Sequence, residues 1–283
     1  MPQTKKAALV LSGGGALGAA HMGALNVLEA EGFEFDFISG VSAGAIVGAL
    51  SACGRRSGEM VGLLKTVDFF SLAFQMTTFR VARRGSDKLD ALLTEFFGDR
   101  CFEDLKVPLV IGATDFQNGE RVLLKRGRIR DAVRASISVP LFFEPFWHPG
   151  ERRWLADGGL TQNLPLDCAT GSYGGSLIYA VDVATALNPG RAVNPPVKWK
   201  EGAKQTIQRA FRILFLSQQA ALAPDPRVVR ILPDVAEFSA FDVRRIDRIM
   251  KAGEQAARDA LAPRAAPQLP APPGSGPIQS APE

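Results

Sequence analysis

The stretch FISGVSAGAIVGAL, residues 37–50, constrains this chain's architecture more than any other. An apolar run reaches Gly40-Val41-Ser42-Ala43-Gly44 and passes directly into small and apolar residues at helical spacing. A strand that reverses into a helix this abruptly needs Gly40 and Gly44, because a Cβ at either would meet neighbouring backbone. Strand, tight turn and helix are the setting in which the serine of G-x-S-x-G is exposed as a nucleophile, beside the positive end of the helix. The same serine also reads as a helix cap between two packing glycines. The motif alone leaves both readings open, and the first raises the question of which group takes the proton.

The rest of the chain repeats the alternation. Strands are expected at 7–11, 33–39, 107–113, 121–125 and 177–184, and helices at 19–30, 43–54, 87–97, 129–136, 203–223 and 242–262. Strands alternating with helices imply a three-layer α/β/α domain with a mostly parallel central sheet over residues 1–262. Residues 263–283, rich in Pro, Ala and Gly, are expected to be a disordered tail, since they offer little apolar surface to offset ordering entropy. No apolar run is long enough to cross a membrane, and the N-terminus does not read as a secretory leader, so a cytoplasmic protein is expected.

The ordinary ligand classes find little support. Cys53, Cys101 and Cys168 are widely spaced and odd in number, which argues against a disulfide framework or a zinc site; buried free thiols are expected. No metal and no cofactor is expected. The net charge of +4 comes with basic clusters at 80–84, 125–134 and 152–153, but no nucleic-acid motif accompanies them. Solvated surface is the expectation for each cluster.

A histidine is the usual base for a serine, and this chain has two, His21 and His148. His21 precedes Ser42, and His148 precedes the best acid, so neither gives the order Ser, acid, His. His21 is expected to be packed or locally hydrogen-bonded, and His148, in WHPGE, to be an exposed turn residue. A carboxylate is the other choice. In WLADGGLTQNLPL, residues 154–166, Asp157 ends a short apolar run before Gly158 and Gly159. A lone Asp-Gly is usually an ordinary turn. An ordinary aspartate, with a pKa of about 3.9, is a weak base for an alcohol unless the alkoxide is strongly stabilised as it forms.

Residues 12–18, SGGGALG, offer such stabilisation. They follow a strand and open a helix, and Gly13, Gly15 and Gly18 satisfy the dinucleotide pattern G-x-G-x-x-G, with Asp36 near the distance of the ribose-binding acid. However, the second strand runs past Asp36 into the serine turn. The competing reading is an oxyanion hole in which the N–H groups of Gly14 and Gly15 hold the carbonyl oxygen as it turns negative.

Taken in order, GGGALGAAHMGAL, GVSAGA, RASISVPLFFEP (134–145) and LADGGLTQNLPL resemble the four blocks of the patatin-like phospholipase family, over nearly the whole chain to about residue 262. The resemblance implies a Ser–Asp dyad with neither histidine nor metal: Ser42 as nucleophile, Asp157 as base, and Gly13, Gly14 and Gly15 as the oxyanion loop. It implies a lipid acyl hydrolase of the phospholipase A or lysophospholipase type. Leu17 departs from the pattern, since many members carry Arg or Lys there. Acyl transfer to an alcohol or thiol, and non-catalytic nucleotide binding by the glycine loop, are the alternatives. An acyl pocket or lid, or plain core, is expected from Phe69, Phe70, Leu72, Phe74, Met76 and Phe79. Residues 207–216, IQRAFRILFL, read as an amphipathic helix that packs on the domain or rests on an anionic membrane. Oligomeric state is not legible in the sequence.

Overall fold

The computed structural model describes residues 5–65, 82–184, 203–219 and 222–262. The expected aromatic pocket at 66–81 and the tail at 263–283 lie outside them. The strands are β1 (Lys5–Leu11), β2 (Phe33–Val41), β3 (Leu109–Asp115), β4 (Arg121–Leu124), β5 (Phe146–His148), β6 (Arg153–Asp157), β7 (Ile178–Val181) and β8 (Val228–Ile231). The helices are α1 (Ala19–Ala30), α2 (Ala43–Ala52), α3 (Ser57–Lys65), α4 (Ala82–Phe97), α5 (Ile129–Ser136), α6 (Leu166–Ser172), α7 (Ala203–Gln219) and α8 (Ile246–Leu261).

One sheet runs in the order β5-β6-β3-β2-β1-β7-β8, with β4 pairing β3 off this path. It is mixed. The segment β3-β2-β1-β7-β8 is parallel, whereas β4 and β6 pair β3 antiparallel and β5 pairs β6 antiparallel. The expected parallel sheet is therefore its β1 side, and tight hairpin-like returns build the other. Along β1, Ala7, Leu9 and Leu11 enter one core while Ala8 and Val10 enter the other, the alternation of a strand buried on both faces. The larger core is filled by α1, α2, α5 and α8, among others; α6 covers the smaller one.

The register between strands positions the site. Ile111 pairs with Gly40 on one side and Leu124 on the other, and Ala113 pairs with Asp157 and Val122. A residue in a sheet has only two edges, so β2 and β6 follow one another along the same edge of β3, opposite β4. β2 ends with Val41 against Gly112, and β6 ends with Asp157 against Ala113. The two strands thus run toward each other and stop on neighbouring residues of β3.

Candidate active site

Where the strand ends meet, Ser42 follows Val41 and faces the end of β6. Its φ of 53° and ψ of −120° fall outside the ordinary regions for a residue with a side chain. Strain of this kind costs on the order of 1–3 kcal/mol and persists only where the surroundings hold it. The surroundings do so here: the Ser42 N–H donates to Ser136 Oγ at 2.9 Å, and Ser136 Oγ donates to Gly112 O at 2.6 Å. A Cβ at Gly40 would strike Gly44 O, and one at Gly44 would strike Leu11 O. The Ser42 side chain makes no capping bond to α2, so the hydroxyl is not spent as a helix cap.

Asp157 is 5% exposed. Its Oδ1 accepts the Gly159 N–H at 2.7 Å, its N–H donates to Ser138 O at 3.0 Å, and its carbonyl accepts Thr114 Oγ1 at 2.9 Å. Oδ2 is buried without a hydrogen-bond partner. The Ser42 hydroxyl lies on the carboxylate's side, close enough to favour its charged form though short of a formed bond. Burial outweighs both this hydroxyl and the Gly159 N–H and pushes the Asp157 pKa up to about 6.

The glycine loop closes the site from β1. Gly13 donates its N–H to Asn163 O at 3.1 Å, so that group is already engaged. Gly13, expected in the oxyanion loop with Gly14 and Gly15, is closely packed: a Cβ there would lie 2.5 Å from Asn163 Oδ1 and 3.1 Å from Ser42 Cβ. The N–H groups of Gly14 and Gly15 make no hydrogen bond among the described residues, and both glycines line the cavity that holds Ser42 and Asp157. Gly15 has φ 60°, a backbone setting that suits glycine. Gly18 packs on Ala43, where a Cβ would come within 2.6 Å of the alanine methyl. Gly158 lies against Gly112 O, and Gly159 faces Phe215.

The cavity measures about 200 Å³ and is mainly apolar. Leu17, Ile46, Ile137, Phe142, Phe143, Phe211, Phe215 and Phe241 supply much of its wall, and among the described residues its only charged side chains are Asp157 and Arg212. Helix α7 therefore packs its apolar side over the site. Gln218 pins it there, donating to Gly159 O at 2.9 Å and Leu160 O at 3.2 Å and accepting the Asn163 N–H at 2.8 Å.

Neither histidine lines this cavity. His21 is fully buried, bonded through Nε2 to Ser12 O at 2.8 Å, with its pKa lowered by burial to about 4; it supports the loop as a neutral ring. His148 is not an exposed turn residue. It is buried in β5 opposite Arg153, and its Nδ1 accepts the Glu151 N–H at 3.0 Å, so the Pro-Gly turn follows the histidine rather than containing it. Of the three thiols, Cys168 is buried while Cys53 and Cys101 are partly exposed, which corrects the expectation of three buried cysteines. Asp36 sits at a bulge between the partners of Ala7 and Ala8, exposed and well short of the glycine loop. It is not where a ribose-binding acid would stand.

Sequence reasoning missed Ser136, Asn163 and Gln218. Asn163 donates through Nδ2 to Gly13 O at 3.3 Å, which orients its amide; its buried Oδ1 is left without a partner. A Cβ at Gly159 would lie 3.0 Å from both Asn163 Oδ1 and Asp157 Oδ1, so the amide oxygen stands between the glycine loop and the carboxylate.

Comparison with known proteins bears on the fold and the family. The fold resembles VipD from Legionella pneumophila, with a TM-score of 0.53 at 15% identity over 92% of this chain and 67% of that one. An uncharacterised NTE family protein of Mycobacterium tuberculosis is 31% identical over 89% of this chain and 46% of its own length. Neuropathy target esterase of Drosophila melanogaster is 32% identical over 62% of this chain and 13% of its own. The chain thus spans about half the length of the mycobacterial relative and a small part of the fly protein. The family model described as patatin-like phospholipase matches residues 9–170, from β1 through the glycine loop, the serine turn and the Asp-Gly-Gly turn to α6. With that match over more than half its length, the chain belongs to the patatin-like phospholipase family.

Proposed function

We propose that the protein is a serine hydrolase of lipid acyl esters, of the phospholipase A or lysophospholipase type. Ser42 is the nucleophile and Asp157 the general base. The observation that carries this reading is the end-to-end meeting of β2 and β6, which brings a strained serine and a buried carboxylate into one apolar cavity beside two uncommitted N–H groups.

Asp157 accepts the Ser42 proton as Oγ attacks the acyl carbon. The carbonyl oxygen, now negative, takes the N–H groups of Gly14 and Gly15; one such donor is typically worth about 2.7–4 kcal/mol in the transition state. Asp157 returns the proton to the leaving alcohol as the ester bond breaks. For deacylation, a water gives one proton to Asp157 Oδ2 while Asn163 Oδ1 accepts its other O–H as a hydrogen bond. Both oxygens are buried acceptors without a donor of their own. The water oxygen attacks, the acyl–Oγ bond breaks, and Oγ takes the proton back from Asp157. Raising the Asp157 pKa toward 6 brings the base closer to its task at neutral pH.

No helix among the described residues is long and apolar enough to cross a membrane. Contact with lipid is peripheral in this proposal, and the apolar cavity receives the acyl chain. A panel of phospholipid, lysophospholipid, triglyceride and short p-nitrophenyl esters tests the reading. Hydrolysis of one or more lipid esters by wild type, lost in Ser42→Ala and in Asp157→Asn, is expected. Turnover that survives in Ser42→Ala overturns it.

A further inference from the structure

Three guanidinium groups gather on one buried residue at the edge of the cavity. Arg212, which lines the cavity, donates through Nη2 to Phe238 O at 3.0 Å. The guanidinium carbons of Arg245 and Arg248 stand 5.8 Å and 5.3 Å from the centre of the Phe238 ring. Arg245 follows Arg244, and both are exposed between Val243 and Ile246, two residues of the cavity wall. Arg209 lies one turn before Arg212 on α7, where like charges repel. Burial and this repulsion together hold the Arg212 pKa below the usual guanidinium value.

The partners of these cations decide what the cluster is for. Elsewhere Arg121, Arg134, Arg153, Arg227 and Arg230 each hold a carboxylate. In the cluster only Arg248 does so, through Glu237 at 2.8 Å. Asp242 is occupied as the acceptor of the Ser239 N–H at 2.9 Å, and Asp247 opens α8. Arg209, Arg212, Arg244 and Arg245 form no ion pair among the described residues. A neutral acyl chain filling the cavity would leave Arg212 half-buried and uncompensated beside its neighbours, an arrangement that favours an anion. A guanidinium presents five N–H donors in a planar fork, and the bond to Phe238 O uses only one of those on Arg212 while fixing its position.

We propose that this edge of the cavity is a phosphate-binding site. Arg212 and Arg245 hold the phosphodiester of a lipid whose acyl ester reaches Ser42, and Arg209 and Arg244 add to the positive field. The site selects phosphate-bearing acyl esters over neutral ones of equal chain length. This rests on the hydrolase reading for its chemistry but not for its binding.

The test is a selectivity ratio: kcat/KM for a lysophosphatidylcholine divided by that for the monoacylglycerol of the same chain, both below their critical micelle concentrations. Arg212→Gln is expected to lower this ratio about tenfold, the loss of one charge-assisted contact, and exposed Arg245→Gln to lower it in the same direction. A fall with dispersed monomers places the phosphate on the substrate itself. A fall only when substrate is presented in phosphatidylglycerol vesicles places it on neighbouring lipids. An unchanged ratio in both presentations overturns the site, whatever the absolute rates. Calorimetry on the Ser42→Ala protein separates this question from the chemistry. Octylphosphocholine is expected to bind more tightly than octanol, with the difference removed by adding Arg212→Gln. Equal binding of the two probes counts against the site even where Ser42 proves essential.

Discussion

At the residue scale, the burial of Asp157 ties stability to pH. Its folded pKa of about 6 lies above the value of about 3.9 expected in the unfolded chain. The folded state therefore holds a proton that the unfolded state has lost between those values. Any stability tied to that proton is present below about pH 4 and is lost as pH rises to about 6. Asp157→Asn is expected to raise unfolding free energy by about 1–3 kcal/mol at pH 8 and by little near pH 3.5, while abolishing turnover. Urea denaturation at the two pH values checks this; equal effects at both would contradict the assigned direction. Ser136 makes the converse case. Ser136→Ala strips the Ser42 N–H and Gly112 O of their shared partner and is expected to cost about 1–3 kcal/mol together with a fall in kcat. Stability and kcat both within error of wild type would show that Ser42 is held by other means.

At the scale of elements, what sequence could reveal depended on whether the signal was local. β1, β2, α1, α2 and the turns at Ser42 and Asp157 were legible, because glycines and apolar runs adjacent in sequence build them. β5 and β8, of three and four residues, and the short helices α3 and α6 carry too little periodicity to stand out. His148 was misplaced for the same reason: the Pro-Gly pair after it dominates the local reading, while its burial comes from pairing with Arg153 across the hairpin. Gln218 lies in none of the four family blocks, and Ser136 and Asn163 lie inside two of them with nothing local to mark their roles, since each matters through a partner more than fifty positions away. The packing of α1 on α8 is another non-local feature. A Cβ at Gly23 would strike Met250 O, and one at Gly253 would strike Ala20 O, so the two backbones approach where neither tolerates a side chain. Gly253→Ala is expected to destabilise by about 1–3 kcal/mol despite its higher helix propensity. A rise in thermal midpoint would contradict this packing.

At the scale of the whole molecule, the sheet positions Ser42 and Asp157 and α7 supplies the roof. Gln218 ties the roof to the Asp-Gly-Gly turn, and Gln219 ties it to buried Asp182 at 2.6 Å, a carboxylate also held by Arg230 at 2.9 Å. Loosening the first tie should disturb long acyl chains more than short ones, because a longer chain buries more of its surface against the apolar wall to which Phe211 and Phe215 belong. Gln218→Ala is expected to lower kcat/KM for p-nitrophenyl decanoate about tenfold more than for the acetate, given the cost of unmade buried hydrogen bonds. An equal change for both esters would detach α7 from chain recognition. The central claim is that Ser42 and Asp157 act together as nucleophile and base, and intact-mass and peptide analysis after a fluorophosphonate probe tests it most directly. The expected result is a single adduct on the peptide carrying Ser42, absent in Ser42→Ala and formed much more slowly in Asp157→Asn. An adduct that persists in Ser42→Ala, or one formed at the wild-type rate in Asp157→Asn, would contradict the claim.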